Sequence, residues 1–340
     1  MTDRDFENYL KGVRDKPHLV ILGAGATMAT IPNGDKNGRK SAVMDNFIEE
    51  LGLQSIIQNI CLTTKSNNLE DIYSELSEKQ EYVQERKELE KAIRNHFESL
   101  KLPDSPTIYD LLVLSLRRKD CIASFNWDDL LIQARQRVQK ITDDLPNLLF
   151  LHGNVSMGGC LQCGHYGALY NKCAKCGKPF VSVPLLFPVR QKDYSSHPTI
   201  NTQWLQFEEM IKRAGLLTIF GYNAPDTDVD AIHRMKNAFS TESKFFHEIE
   251  VVDIGDQSKI EKKWSYFGER AHWHFKVVVR SFFNTYLAEF PRRSIEGYYK
   301  RNLEGWWGKP NIHFNVGFDD LKKTVSPLIE AERQNNFDII

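Results

Sequence analysis

Short apolar runs alternate along this chain with longer amphipathic stretches, and the alternation is the first guide to its fold. Residues 18–22, HLVIL, make one such run and lead into Gly23-Ala24-Gly25-Ala26-Thr27, the pattern of a buried strand that turns tightly into a helix. The next stretch, PNGDKNGRKS, carries Pro32, two Asn-Gly pairs and several charges, which predicts a loop over residues 31–41 placed to cover a ligand. From about Met44 to Leu116 apolar residues recur at helical spacing, with Leu69, Ile72, Leu76, Val83, Ile93, Phe97 and Leu100 on one face. Asp104-Ser105-Pro106 breaks this region and is expected to cap the helix TIYDLLVLSLRR.

Four more β-rich runs follow: CIASF, NLLFLHG, GLLTIFGY at residues 215–222 and HEIEVVDIGD at residues 247–256. Apolar strands separated by helical stretches predict an α/β fold, a doubly wound parallel sheet covered on both faces. The remainder, residues 257–340, is aromatic-rich, with a strand expected at HFKVVVRS and helices near 284–290 and 318–334. It shows no internal repeat and suggests no chemistry.

Composition narrows the class. The 44 basic and 45 acidic residues nearly cancel, so no strong field draws the molecule to nucleic acid or to an anionic membrane. With 41% hydrophobic and 26% charged residues the chain reads as an ordinary globular protein. The stretch MTDRDFENYLKGVRDKPH lacks the apolar core of a signal peptide, and no window is apolar enough to span a bilayer, so the expected location is the cytoplasm.

Four of the six cysteines fall in the spacing Cys160-x2-Cys163-x9-Cys173-x2-Cys176, two CxxC knuckles able to turn four thiolates onto one tetrahedral ion. A glycine follows each second cysteine, Gly164 and Gly177, where a knuckle turn favours a residue tolerant of positive φ. Four thiolates close the coordination shell, so a zinc ion there is structural, within a module spanning residues 158–180. The other two, Cys61 and Cys121, are expected to be small buried hydrophobes.

Chemistry therefore belongs at the strand ends. Gly23, Ala24 and Gly25 suit a turn whose amides approach a diphosphate at a helix start. Asn126 and Asp128 follow one strand, His152 another and Gly221 a fourth, and open parallel sheets bind ligands at the carboxyl ends of their strands. Asp253, ending a late strand, is placed to accept from an adenosine ribose, whereas Asp226 and Asp228 read better as caps of the helix after them.

In chain order, the Gly23 to Ala26 turn with Thr27, the run SFNWD, LHG, the paired CxxC knuckles, IFGY and VVD resemble the sirtuin family over residues 18–256. The resemblance implies a Rossmann-like NAD-binding domain, residues 1–256, carrying a helical insertion at 44–116 and the zinc ribbon, followed by an extension at 257–340 packed on the core. It also implies that Asn126, Asp128 and His152 flank the nicotinamide ribose as the catalytic set. Gly23, Ala24, Gly25, Thr27, Gly221, Tyr222 and Asp253 are then the expected cofactor-binding set.

Where deacylating sirtuins usually carry a serine after the glycine turn, a Gln-Asn-Ile-Asp block and a Gly-Thr-Ser turn, this chain has Thr27, Phe125-Asn126-Trp127-Asp128 and Gly221-Tyr222-Asn223. The run from Gly221 to Asp228 is more similar to bacterial sirtuin-like domains of antiphage defence, many of which hydrolyse NAD. That likeness implies an NAD hydrolase gated by homo-oligomerisation, a partner ATPase or a phage trigger. An NAD-dependent protein deacylase and an NAD-sensing or assembly subunit without turnover are the alternative readings. Pro184 and Pro188, which interrupt strand pairing by an acylated peptide after the ribbon, favour water as acceptor.

Overall fold

The computed structural model describes residues 12, 14–42, 44, 46–58, 60–189, 192–225, 228–240, 248–268, 275–305 and 317–337. Strand β1, His18–Leu22, is buried at all five positions because helices cover both of its faces. It runs into α1, Ala24–Thr30, through Gly23. The expected loop at 31–41 is a tied turn: the buried carboxylate of Asp35 accepts the backbone N–H groups of Asn37 and Arg39, both at 2.8 Å, and of Lys101 at 3.0 Å.

The helical insertion is less continuous than its periodicity suggests. Two single turns, Phe47–Glu50 and Gln54–Ile57, precede α2, Leu69–Glu78, and α3, Val83–Ser99. Asn68 caps α2, its side chain accepting the Glu70 N–H at 2.8 Å. Leu69, Ile72, Leu76, Ile93, Phe97 and Leu100 are buried as expected, while Val83, at the start of α3, is only half-buried. Cys61 is exposed, not buried, because residues 61–68 cross the insertion's surface without regular structure; Cys121 is buried. Helix α4, Ile108–Leu114, is capped by Thr107, whose N–H donates to Asp110 at 2.7 Å, and not by the Asp104-Ser105-Pro106 break before it.

Next come β2, Cys121–Ser124, α5, Leu130–Val138, and β3, Asn147–Phe150. The cysteine module contributes a separate antiparallel sheet of β4, Met157–Gly159, β5, Tyr166–Ala168, and β6, Val181–Ser182, in the order β5-β4-β6. The main chain resumes with α6, Pro198–Arg213, β7, Leu216–Phe220, α7, Val229–Ser240, β8, Glu248–Val252, α8, Gln257–Gly268, and β9, Phe275–Val279. The main sheet reads β3-β2-β1-β7-β8-β9, parallel at every pairing. That is the doubly wound nucleotide-binding order, with its reversal between β1 and β7.

Backbone contact at this reversal is unusually close. Gly221 holds φ +62, and a side chain on it would run into Gly25 and Ala26; a Cβ on Gly23 would lie 2.5 Å from the Gly221 carbonyl oxygen. Glycine is needed on both sides for β1 and β7 to end side by side.

The opposite end of the sheet is closed by charge. After β9 come α9, Ser294–Glu304, and α10, Phe318–Arg333. Arg292 and Arg293, both buried just before α9, converge on Glu332 of α10, with Arg292 Nη2 to Oε2 at 2.7 Å and Arg293 Nη1 to Oε1 at 2.5 Å. Arg292 also reaches Asp144 at 2.8 Å, and His18, at the start of β1, bonds Ser294 at 2.9 Å and Thr218 at 2.8 Å. Burial pushes His18 down to about 3, so its ring is a neutral bridge.

Glu332 neutralises two buried guanidinium groups, and removing one partner of a buried pair leaves charge uncompensated. Glu332→Ala is therefore expected to cost about 3 kcal/mol of stability, read as a lower urea midpoint at unchanged slope.

Candidate active site and metal centre

The tip of β2 connects the strand ends. Asn126 turns its amide toward the glycine turn, where Nδ2 donates to the Gly23 carbonyl oxygen at 2.9 Å and to Thr27 Oγ1 at 3.0 Å, and lies 3.2 Å from the Tyr109 hydroxyl. Thr27 is the hub beneath it: its Oγ1 sits 2.9 Å from the Tyr109 hydroxyl and donates to Asp128 Oδ2 at 2.9 Å. Asn126 is itself half-buried, and with Nδ2 so committed its Oδ1 lies outside these bonds.

Phe125, the residue before it, joins the other tips. Its ring lies edge-on to His152 at 4.8 Å and stacks on Tyr222 at 4.0 Å with planes 3° apart. Asn126 thus binds the β1 turn while Phe125 binds the residues that follow β3 and β7, so four strand tips share one support. Trp127 points the other way, buried among Phe47, Phe97 and Phe187, and roots the helical insertion on the same element.

Asp128 lies deeper than a ligand-facing carboxylate. Its Oδ1 accepts the Leu130 N–H at 3.1 Å and its backbone oxygen accepts from Asn154 at 2.5 Å. Burial pushes its carboxyl up to about 6, against the Thr27 and Leu130 hydrogen bonds that favour the anion.

His152, between β3 and the cysteine module, is buried with Nε2 3.0 Å from the Tyr194 hydroxyl and 3.6 Å from Asp228 Oδ1. Burial lowers it to about 4, the nearby Asp228 opposing and Lys192 reinforcing the shift, so the ring is neutral near pH 7. Asp228, expected to cap the helix, instead spends its two oxygens on the buried Lys192 ammonium and on the Tyr222 hydroxyl, the latter at 2.8 Å. Burial opposes its charge, but His152, Lys192 and Tyr222 together hold its carboxyl below the ordinary range.

The remaining expected residues are placed unevenly. In the glycine turn Gly25 N–H donates to the Gly221 carbonyl oxygen and Ala26 N–H to that of Gly23, both at 3.0 Å, while the Ala24 N–H takes part in neither bond. Gly221 serves the close backbone approach, and Tyr222 is turned inward under Phe125. Asp253 follows β8 directly, and its Oδ1 accepts the Gly255 N–H at 2.7 Å. Asp226 lies outside the described residues. Tyr109, Tyr194 and Lys192 were not legible as site residues, since only tertiary contact brings them here; for Asp228 the run Gly-Tyr-x-x-Pro-x-x-Asp was the available signal.

The four cysteines do converge. Sγ atoms of Cys160, Cys163, Cys173 and Cys176 all lie within 4.8 Å of one another, and those of Cys160 and Cys176 are 3.5 Å apart. That gap is too long for a disulfide, near 2.05 Å, and close to the separation of about 3.8 Å that tetrahedral zinc with bonds of about 2.3 Å imposes. Each knuckle repeats one pattern: Gly164 N–H donates to the Cys160 carbonyl at 2.9 Å and Gly177 N–H to that of Cys173 at 2.8 Å. Both glycines take the positive φ expected of them, +69 and +74. Four sulfurs fit one structural zinc ion and leave no open position for substrate.

No family model matches the sequence, and no curated protein matches it. Among solved structures the chain is similar to a Sir2 homolog in complex with NAD, at 16% identity and a TM-score of 0.39, covering 86% of this chain and 94% of that one. It is also similar to a Sir2 enzyme solved for its mechanism and regulation, at 14% identity and a TM-score of 0.39, over 90% and 100% of the two chains. A third is Sir2 in complex with an inhibitor, 2'-O-acetyl-ADP-ribose and a deacetylated p53 peptide, at 12% identity and a TM-score of 0.36, covering 88% and 98%. The strand order of this chain, rather than these likenesses, defines its fold. Among the described residues no helix is long and apolar enough to cross a membrane.

Purified protein is expected to carry one zinc per chain by elemental analysis, and Cys163→Ser to reduce it and lower the melting temperature. Full retention of stability after complete chelation would contradict a structural ion.

Proposed function

We propose that this chain hydrolyses NAD to nicotinamide and ADP-ribose, with the nicotinamide ribose lying between Asn126 and His152. The carrying observation is that Phe125 and Asn126 tie the ends of β1, β2, β3 and β7 together at the sheet's reversal, where parallel sheets receive nucleotides. Asn126 Oδ1 is the acceptor left over at that crevice, and a neutral imidazole stands one strand away.

As the C1'–N bond breaks, nicotinamide leaves as a neutral ring with the bonding pair and positive charge builds on the ribose. Water held by Asn126 Oδ1 forms the new C1'–O bond, and its proton passes to His152 and on to solvent. Near pH 7 the imidazole is free to accept that proton. Asp128, one layer below, holds Thr27 and through it Asn126, and its partial charge favours the developing cation. The turn at Gly23, Ala24 and Gly25 faces the diphosphate with few spare amides, because Gly25 and Ala26 already donate to the protein.

Water as acceptor is supported by the segment after the cysteine module. Pro184 and Pro188 lack N–H groups, Leu186 N–H donates to the His152 carbonyl at 2.9 Å, and the carbonyls of Val183 and Pro188 accept from Arg94 and Ser74. An acylated peptide adding as a strand finds little of this edge to pair with. Because unrestrained hydrolysis would exhaust the cell's NAD, we place the activity in bacterial antiphage defence, gated by self-assembly, a partner ATPase or a phage trigger.

Incubation with NAD, with and without an acetylated peptide, is expected to yield ADP-ribose without peptide; turnover only with peptide would overturn the hydrolase in favour of a deacylase. Asn126→Ala and His152→Ala are each expected to lower turnover at least about 100-fold while zinc content stays unchanged.

A further inference from the structure

The proposed chemistry leaves four buried polar groups unused: Tyr194, Lys192, Asp228 and Tyr222. They form one chain of contacts ending on His152, with the Lys192 ammonium and the Tyr222 hydroxyl on Asp228, Asp228 Oδ1 3.6 Å from Nε2, and the Tyr194 hydroxyl 3.0 Å from the same nitrogen. All of these polar groups approach the Nε2 side. Among the described residues no hydrogen bond reaches Nδ1, and the ring's flank is covered by Phe125.

A buried imidazole with a carboxylate behind one nitrogen keeps its proton on that nitrogen, since the alternative tautomer turns a lone pair toward negative charge. We infer that Asp228 is the positioning residue of His152: it holds the proton on Nε2, where the Tyr194 oxygen accepts it, and so leaves Nδ1 as the bare nitrogen facing the crevice. Lys192 works in the opposite sense, drawing part of the Asp228 charge to itself and adding to the burial that keeps the resting ring unprotonated. The groups facing His152 are then Tyr194 and Lys192 from the segment after the cysteine module and Asp228 from the start of α7, with Tyr222 acting through Asp228. Both tyrosines are held protonated, chiefly by burial and then by the Asp228 charge, so neither competes as an anion.

The inference rests on the proposed hydrolysis for its consequence, but not for its structural content. Nitrogen-15 NMR of histidine-labelled wild-type protein reads the tautomer directly. Protonation of His152 at Nε2 near pH 7 is the expected result, and protonation at Nδ1 overturns the assignment whether or not NAD is consumed. Asp228→Asn, which offers an amide donor to Nε2, is expected to convert the ring to the Nδ1 tautomer and to lower kcat about 30-fold or more with KM within about threefold.

Removing the anion should move the acid limb of kcat/KM to lower pH, whereas Lys192→Met should move it to higher pH. A merely structural network would shift neither limb in these opposed directions, and equal or absent shifts in two folded variants refute the role. If the wild-type tautomer is as stated and NAD is not hydrolysed, the proposed function fails and the positioning stands.

Discussion

The two residues at the end of β2 carry the architecture of the site. Phe125 fills the space between the ring of His152 and the ring of Tyr222, and the Asn126 amide closes onto the glycine turn, so the tips of β1, β3 and β7 are fixed to β2 and thereby to one another. Such an arrangement requires the backbones of β1 and β7 to end almost in contact, which the glycines at 23, 25 and 221 permit. The same dipeptide's successor, Trp127, anchors the helical insertion, coupling that insertion to the crevice through packing.

Polar interactions divide cleanly between the ends of the sheet. At the amino-terminal end, Arg292, Arg293, Glu332 and His18 bond one another or neighbouring elements and serve stability. At the carboxyl-terminal end the buried groups are held under tension between burial and charge: His152 is driven neutral, Asp128 is driven toward protonation, and Asp228 stays ionised through Lys192 and Tyr222. The shifts of His152 and Asp128 run in opposite directions for one reason, since burial disfavours the charged form of each. The cysteine module sits beyond His152 as scaffold, its four sulfurs occupied with each other's geometry.

How much was readable in advance follows from the range of the interactions involved. Strands β1, β2, β3, β7, β8 and β9 declare themselves as largely apolar runs because most of their positions are buried, and polar members such as His18, Thr218 and Glu250 are buried and bonded to one another. The metal knuckles are local in sequence, and so both the cysteine spacing and the positive φ of Gly164 and Gly177 could be anticipated. Asn126 and His152 stand out in the sequence because each closely follows an apolar run. Thr27, read as a cofactor contact, is instead an interior hub, since Tyr109, 82 residues away, meets it. Asp228 reads locally as a cap because its partner Lys192 lies 36 residues earlier, and Cys61 is exposed despite apolar neighbours in sequence because residues 61–68 cross the surface without regular structure.

The most direct test of the central claim is a crystal structure with ADP-ribose bound. The ribose that carried nicotinamide is expected between Asn126 Oδ1 and the His152 ring, its anomeric hydroxyl within hydrogen-bonding reach, about 2.6–3.2 Å, of one or both. A ligand bound elsewhere on the sheet, or a ribose distant from both side chains, would contradict the account.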